Sequence, residues 1–271
     1  MPEKLPEYEF PPVNEVVFGL QFQPVKSLRI QHFMEYWSLI RDRYPNIEEQ
    51  LPLQHLKEKP IEPEEDGPTA AVFQLKTPAP RYWFINPSGN ELVQVQKDRF
   101  LRNWRQINGN EPYPRFDQLS KLFWQEWDVF SRFVKNNGQI HVDQCELSYI
   151  NHIDSVVPDD KWDGFGNLPN VFALLQPKAK KTFLPAPEIF SFASRYPLPD
   201  VRGRLHVEMT PAFRGRDFKM IVQFTLSARG MSTGESEKEI KAWFDNAHEW
   251  IVRGFDELTT QKMHELWNKK P

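Results

Sequence analysis

The chain has 271 residues, with 34 Lys and Arg against 37 Asp and Glu and a formal net charge of −3. No global field therefore draws it to nucleic acid or to an anionic membrane. Hydrophobic residues make up 39% and aromatic residues 14%, with nine Trp. That composition excludes a disordered chain and supplies a substantial core.

The single cysteine, Cys145, excludes an intramolecular disulfide and fits a reducing compartment, most simply the cytoplasm. The sequence does not open on a basic stretch followed by an apolar run, and no apolar run is long enough to span a bilayer. A cytoplasmic protein off the membrane is the expectation.

Residues 1–12 are charged and rich in Pro, and predict an extended arm. VVFGLQF (16–22) alternates and predicts a strand, with Gly19 marking a bulge or a close approach. The spacing in 29–44 predicts a helix with Ile30, Phe33, Trp37, Ile40 and Tyr44 on one face, stopped by Pro45. Residues 45–68, rich in Pro and Glu, read as a surface connection. AVFQLK (71–76) and RYWFIN (81–86) predict strands, and PSGN (87–90) a hairpin turn into ELVQVQKDRFLRNWR (91–105).

That segment predicts one long strand near the middle of the sheet, with Val93, Val95 and Leu101 on a helix-covered side. Its alternation changes phase, because Phe100 and Trp104 share parity with Gln94 and Gln96. A bulge near Lys97–Asp98 would restore the apolar register.

FDQLSKLFWQEWDVFSRFVK (116–135) predicts the clearest helix, with Leu119, Leu122, Phe123, Trp127, Phe130 and Val134 as its stripe and NNG (136–138) as its stop. CELSYINHID (145–154) is a strand, and 155–200 reads as a loop with Trp162, Phe165, Phe172, Phe183 and Phe190 as anchors. RLHVEMTPAF (204–213) and KMIVQFTLSAR (219–229) alternate around the turn RGRD. A last long helix spans 236–258, with Ser236 and Glu239 at capping-box spacing, and a short one follows at 260–268.

Strands in hairpin groups without βαβ alternation predict an α+β fold, with a largely antiparallel twisted sheet and long helices packed on one face. A single domain over 1–271 is expected. Its element order suggests two loosely similar halves, 13–115 and 116–268, although no sequence repeat marks a duplication.

Such a sheet leaves each strand one apolar and one polar face. Leu205, Val207 and Met209 oppose His206, Glu208 and Thr210, and Leu147, Tyr149 and Ile153 oppose Glu146, Ser148, His152 and Asp154. The opening part of the sheet adds Asp98, Arg99, Arg102 and Arg105. Asp98, Arg99, Arg102, Arg105, Glu146, His152, His206 and Glu208 are thus the candidate ligand- or partner-binding residues.

The arginines beside Trp104 suit an anionic group, and nucleic acid is the less favoured form of it. The bland reading is that they pair with acids across the sheet. Three His-x-acid pairs, His141/Asp143, His152/Asp154 and His206/Glu208, recur. They show no closed ligand spacing, so neither a metal nor a cofactor is expected. No G-x-S-x-G, HExxH, Walker A or GxGxxG motif is present, and Cys145 sits inside a strand as a small hydrophobe. No catalytic residue is assigned.

Several stretches resemble an uncharacterised, sporadically distributed prokaryotic family of similar length. They are PPVNEVVFGLQF (11–22), RDRYPNIEEQLPL (41–53), PRYWFINPSGNELVQVQKDRFLRNWR (80–105), YPRFDQL (113–119), QCELSYINHI (144–153) and FDELTTQKMHELW (255–267). The resemblance runs from end to end and implies no known activity. Its patchy distribution suggests an accessory role in a toxin–antitoxin or phage-defence operon. The expected function is a non-enzymatic binding or regulatory protein with a protein partner. The alternative is an enzyme or small-ligand receptor whose pocket lies on the polar sheet face and is closed by the 155–200 loop.

Overall fold

The structure, a computed structural model, describes residues 4–54, 58, 80–136, 138–153, 168–175, 183, 185, 187, 189–199 and 202–271. Its strands are β1 (Val13–Phe22), β2 (Asn46–Gln50), β3 (Arg81–Ile85), β4 (Glu91–Gln96), β5 (Arg99–Arg105), β6 (Val142–Ile153), β7 (Phe192–Leu198), β8 (Arg202–Phe213) and β9 (Met220–Met231). Its helices are α1 (Ile30–Ile40), α2 (Phe116–Lys135), α3 (Leu168–Val171), α4 (Glu237–Leu258) and α5 (Gln261–Leu266). The strands form one sheet in the order β2-β3-β4-β5-β1-β6-β9-β8-β7, with every neighbouring pair antiparallel. The fold is α+β.

Two parts of the chain, divided after α2 and not at residue 115, hold five and four strands in a similar order. In each, the first strand lies at the sheet centre beside the last, and a meander fills the outer positions. A long helix then returns, α2 after β5 and α4 after β9. β1 and β6, the two first strands, pair with each other.

Alternation explains which face is covered. Val16, Phe18, Leu20 and Phe22 of β1 point one way and are buried. Phe18 meets Phe116 and Phe123 of α2 and Phe244 of α4 at 5.6, 5.3 and 5.4 Å between ring centroids. Both long helices therefore close on the central strand, and α1 adds Phe33 and Tyr36 against Tyr82 and Phe84 of β3. Ile30, expected on that stripe, is 61% exposed, since it is the first helical residue and the buried set begins at Phe33. The capping box of α4 forms as expected, with the Glu239 amide donating to Ser236 and the Ser236 amide to the Glu239 carboxylate.

The largest departure concerns 91–105. It is not one strand but the hairpin β4–β5, turning at Lys97–Asp98 with Gln96 opposite Arg99, Val95 opposite Phe100 and Val93 opposite Arg102. Cross-strand partners share a face, and a two-residue turn pairs odd positions with even ones. Val93, Val95, Phe100 and Trp104 thus bury together without a bulge. The same inversion sends Leu101, expected among them, to the other face. There it lies opposite Gly19, where an added Cβ would meet its Cδ2 at 2.6 Å. The close approach expected at Gly19 is present.

Two connections hold more structure than the sequence reading gave them. The stretch 45–68 includes the edge strand β2, and 155–200 includes α3 and the edge strand β7. Pro197 inside β7 suits an edge, where a missing N–H leaves no ladder bond unmade. Phe172 packs on Phe224 at 4.9 Å between centroids, so this part of the loop lies on the helix-covered side. Phe190 is packed against the core and Phe183 is exposed. The expected strand 71–76 and the anchors Trp162 and Phe165 lie outside the described residues. No helix among the described residues is long and apolar enough to cross a membrane.

His248 of α4 lies flat on Phe116, 3.9 Å between ring centroids. Burial depresses its pKa from 6.5 to about 4, against the opposing pull of Asp117 and Glu249. The folded state thus favours the neutral ring. This contribution is complete above about pH 6.5 and is lost as the pH falls toward 4, up to about 3 kcal/mol in all. His248→Phe is expected to remove that part of the acid sensitivity. Parallel urea midpoints for variant and parent across this range would show it, and two identical pH profiles would refute it.

Candidate functional site

The face opposite the helices carries the polar residues of the strands in bonded rows. On β3, Arg81 Nη1 and Trp83 Nε1 both donate to Gln94 Oε1 of β4, at 2.6 and 2.9 Å. Gln94 Nε2 donates to Asn103 Oδ1 of β5 at 2.7 Å, and Asn103 Nδ2 to Glu15 Oε1 of β1 at 2.6 Å. Burial raises the Glu15 carboxyl pKa, and the Asn103 bond partly offsets it. Arg105 donates through Nε to the Gly89 carbonyl at 3.0 Å. The guanidinium groups of Arg81 and Arg105 lie 5.4 and 5.7 Å from the centroid of the Trp83 ring, within cation–π range.

A second row holds the chain that follows β2. Gln96 reads the Leu53 peptide twice: its Oε1 accepts from the Leu53 N–H and its Nε2 donates to the Leu53 carbonyl, each at 3.0 Å. Arg99 bonds Gln21 and also donates to the Gln54 carbonyl at 2.8 Å. Gln144 Oε1 of β6 accepts from the Glu58 amide at 2.8 Å. The Glu58 carboxylate reaches β8, bridging Arg204 Nη1 at 3.1 Å and His206 Nε2 at 2.9 Å. Leu53, Gln54 and Glu58 thus lie across strands β4 to β8 on this face. Beside them Glu146 pairs with Arg229 at 3.2 Å, and the Ser148 and Ser227 hydroxyls bond at 2.7 Å.

The proposed residues fall into three groups. Arg99, Arg105, Glu146, His152, His206 and Glu208 occupy this face. Asp98 sits in the β4–β5 turn, accepting from Gln96 at 2.5 Å. Arg102 does not belong here. It stands beside Phe100 and Trp104 under the helices, 1% exposed, with Glu91 at 2.7 Å.

Nor do the His-x-acid pairs converge. His206 is level with Ser227, whereas His152 is level with Gln223, four residues or about 13 Å along the strand. His141 faces Glu235 at 3.5 Å, and Asp154 lies outside the described residues. No group of three or more His, Cys, Asp or Glu able to hold a metal occurs among the described residues. Cys145 is buried in the core, and burial pushes its thiol pKa up to about 12.

Trp83, Gln94, Asn103, Gln144, Glu58 and Arg204 complete the face and were not among the candidates. Strand parity offered a signal for most of them, since Gln94 alternates with Val93 and Val95, and Arg204 with Leu205. Glu58 had none, because only the path of the chain brings it to β8. No protein-family model matches this chain, and no curated protein matches it.

Proposed function

We propose that this chain is a non-enzymatic binding or regulatory protein that takes an extended segment of a partner protein on the helix-free face of its sheet. The observation that supports this is the chain's own crossing of that face. Gln96, Arg99 and Gln144 bond the main chain of Leu53, Gln54 and Glu58, the groups that any extended polypeptide offers. Arg81, Trp83 and Arg105 supply a cationic and aromatic anchor in the neighbouring row.

If the family resemblance holds, the partner is encoded nearby, in a toxin–antitoxin or phage-defence operon. The alternative reading, an enzyme or receptor with its pocket on this face under 155–200, has less support. The cavity between Gly19, Arg99 and Glu146 holds about 10 Å³, room for about one water at most. The described part of the loop around Phe172 packs on the opposite side.

A photo-crosslinking residue placed at Thr225, half-buried on the polar face, tests the proposal in the native host. It is expected to capture a protein partner, and the capture should disappear with Arg105→Glu. The same crosslinker at exposed Lys121 of α2 should capture nothing. If the Thr225 position captures only nucleic acid, or the purified protein turns over a metabolite, the reading is wrong.

The hold on the chain's own segment is testable separately. Glu58→Ala removes the bridge to Arg204 and His206 and is expected to cost about 1–3 kcal/mol. Hydrogen exchange at the amides of residues 53 and 58 should quicken, and unchanged exchange would contradict the described contacts.

A further inference from the structure

On the helix side, a cavity of about 420 Å³ lies between the N-terminal arm, β6 and α4. This is the size range of small-molecule sites. At one wall the Tyr113 and Tyr149 hydroxyls meet at 2.9 Å. The pair consumes one donor and one acceptor, leaving a hydroxyl proton and lone pairs for a third group. His248 lines the same space.

The arm that closes the cavity is held in place. Arg115 donates to the carbonyls of Tyr8 and Glu9 at 2.8 and 3.3 Å, and Tyr8 donates to Asp256 at 2.5 Å. Arg115 does so at φ 72° and ψ 159°, a conformation that residues other than Gly rarely adopt. Strain of this kind is characteristic of ligand clamps.

We propose that this cavity binds a mainly apolar small molecule, and not an anion, whose one hydrogen-bonding group meets the Tyr113–Tyr149 hydroxyl pair. Selection against an anion follows from the charged residues that line it. Arg115 is committed to the arm, Glu7 is paired with Lys270 at 2.6 Å, Lys4 donates to the Pro271 carbonyl at 3.4 Å, and Asp117 adds an acidic side chain. An anionic ligand would leave water without a dedicated counter-ion. Burial also holds the three polar groups uncharged near neutral pH, with Tyr113 pushed up to about 12, Tyr149 raised as well and His248 lowered to about 4.

The test uses the full chain with 2-naphthol and its anionic analogue 2-naphthoate, followed by ligand-observed NMR at neutral pH. 2-Naphthol is expected to bind at least tenfold more tightly than 2-naphthoate. Tyr149→Phe should weaken 2-naphthol about tenfold, and Val252→Trp, filling the cavity, should abolish binding. Thermal unfolding of each variant verifies that it is folded, and Tyr149→Phe keeps the test decisive if Val252→Trp is not. Failure of 2-naphthol to bind at about 1 mM, equal binding of 2-naphthoate, or undiminished binding by folded Tyr149→Phe would each overturn the proposal.

Discussion

Replacing Arg102 by alanine is expected to destabilise the fold by about 3–5 kcal/mol, among the largest effects of any single charge change here. The guanidinium is 1% exposed and lies on the helix-covered face, opposite Phe18 on one side and Val93 on the other. Its partners are Glu91 at 2.7 Å and the hydroxyl of Tyr44, whose own pKa burial pushes up to about 12. Truncation leaves those groups with nothing to answer them, and it removes a long side chain from a packed layer.

The Glu91 side chain remains 27% exposed and can turn partly to water, which places the cost toward the lower end. Arg102→Met with Glu91→Met should recover much of it, because an apolar pair needs no counter-charge. Urea unfolding followed by Trp fluorescence reads the difference. A midpoint unchanged from the parent would sink the assignment of Arg102 to the core.

Trp104→Ala is expected to cost a similar amount, about 3–5 kcal/mol, for a different reason. Trp104 is 2% exposed, stands between Val16 of β1 and Glu91 of β4, and meets the Tyr113 ring at 5.7 Å between centroids. Its loss leaves a cavity beside Tyr113. Trp104→Phe should recover part of the loss in the same unfolding measurement, since most of the contact area remains. If the alanine variant proves as stable as the parent, then the hairpin register that buries Trp104 is incorrect.

Arg99 gives the contrast. It stands on the opposite face and bonds Gln21 and the Gln54 carbonyl, so Arg99→Ala should loosen the crossing segment more than the sheet.

What the sequence determined by itself is the local part of this fold. Period-two alternation over 204–213 and 219–229 defined two strands and their polar face, because side-chain direction on a strand depends on parity alone. The apolar stripe of 116–135 and the Ser236–Glu239 capping box are likewise within the reach of one helical turn.

Only the tertiary structure decided the rest. The parity of 91–105 fits a bulged strand or a tight hairpin, since both place Arg102 with Val93 and Val95 and turn Leu101 to the other face. The choice rests on β5 pairing with both β4 and β1. β4 and β5 meet across a two-residue turn, but β1 and β5 join residues 78 to 90 positions apart, which no local pattern contains. Glu58 reached Arg204 and His206 in the same way, across 146 and 148 positions. Tyr113, just before α2, Tyr149 of β6 and His248 of α4 come together only because three separate parts of the chain pack side by side. Spacing along a chain registers neighbours on one element, whereas a site is made where separate elements meet.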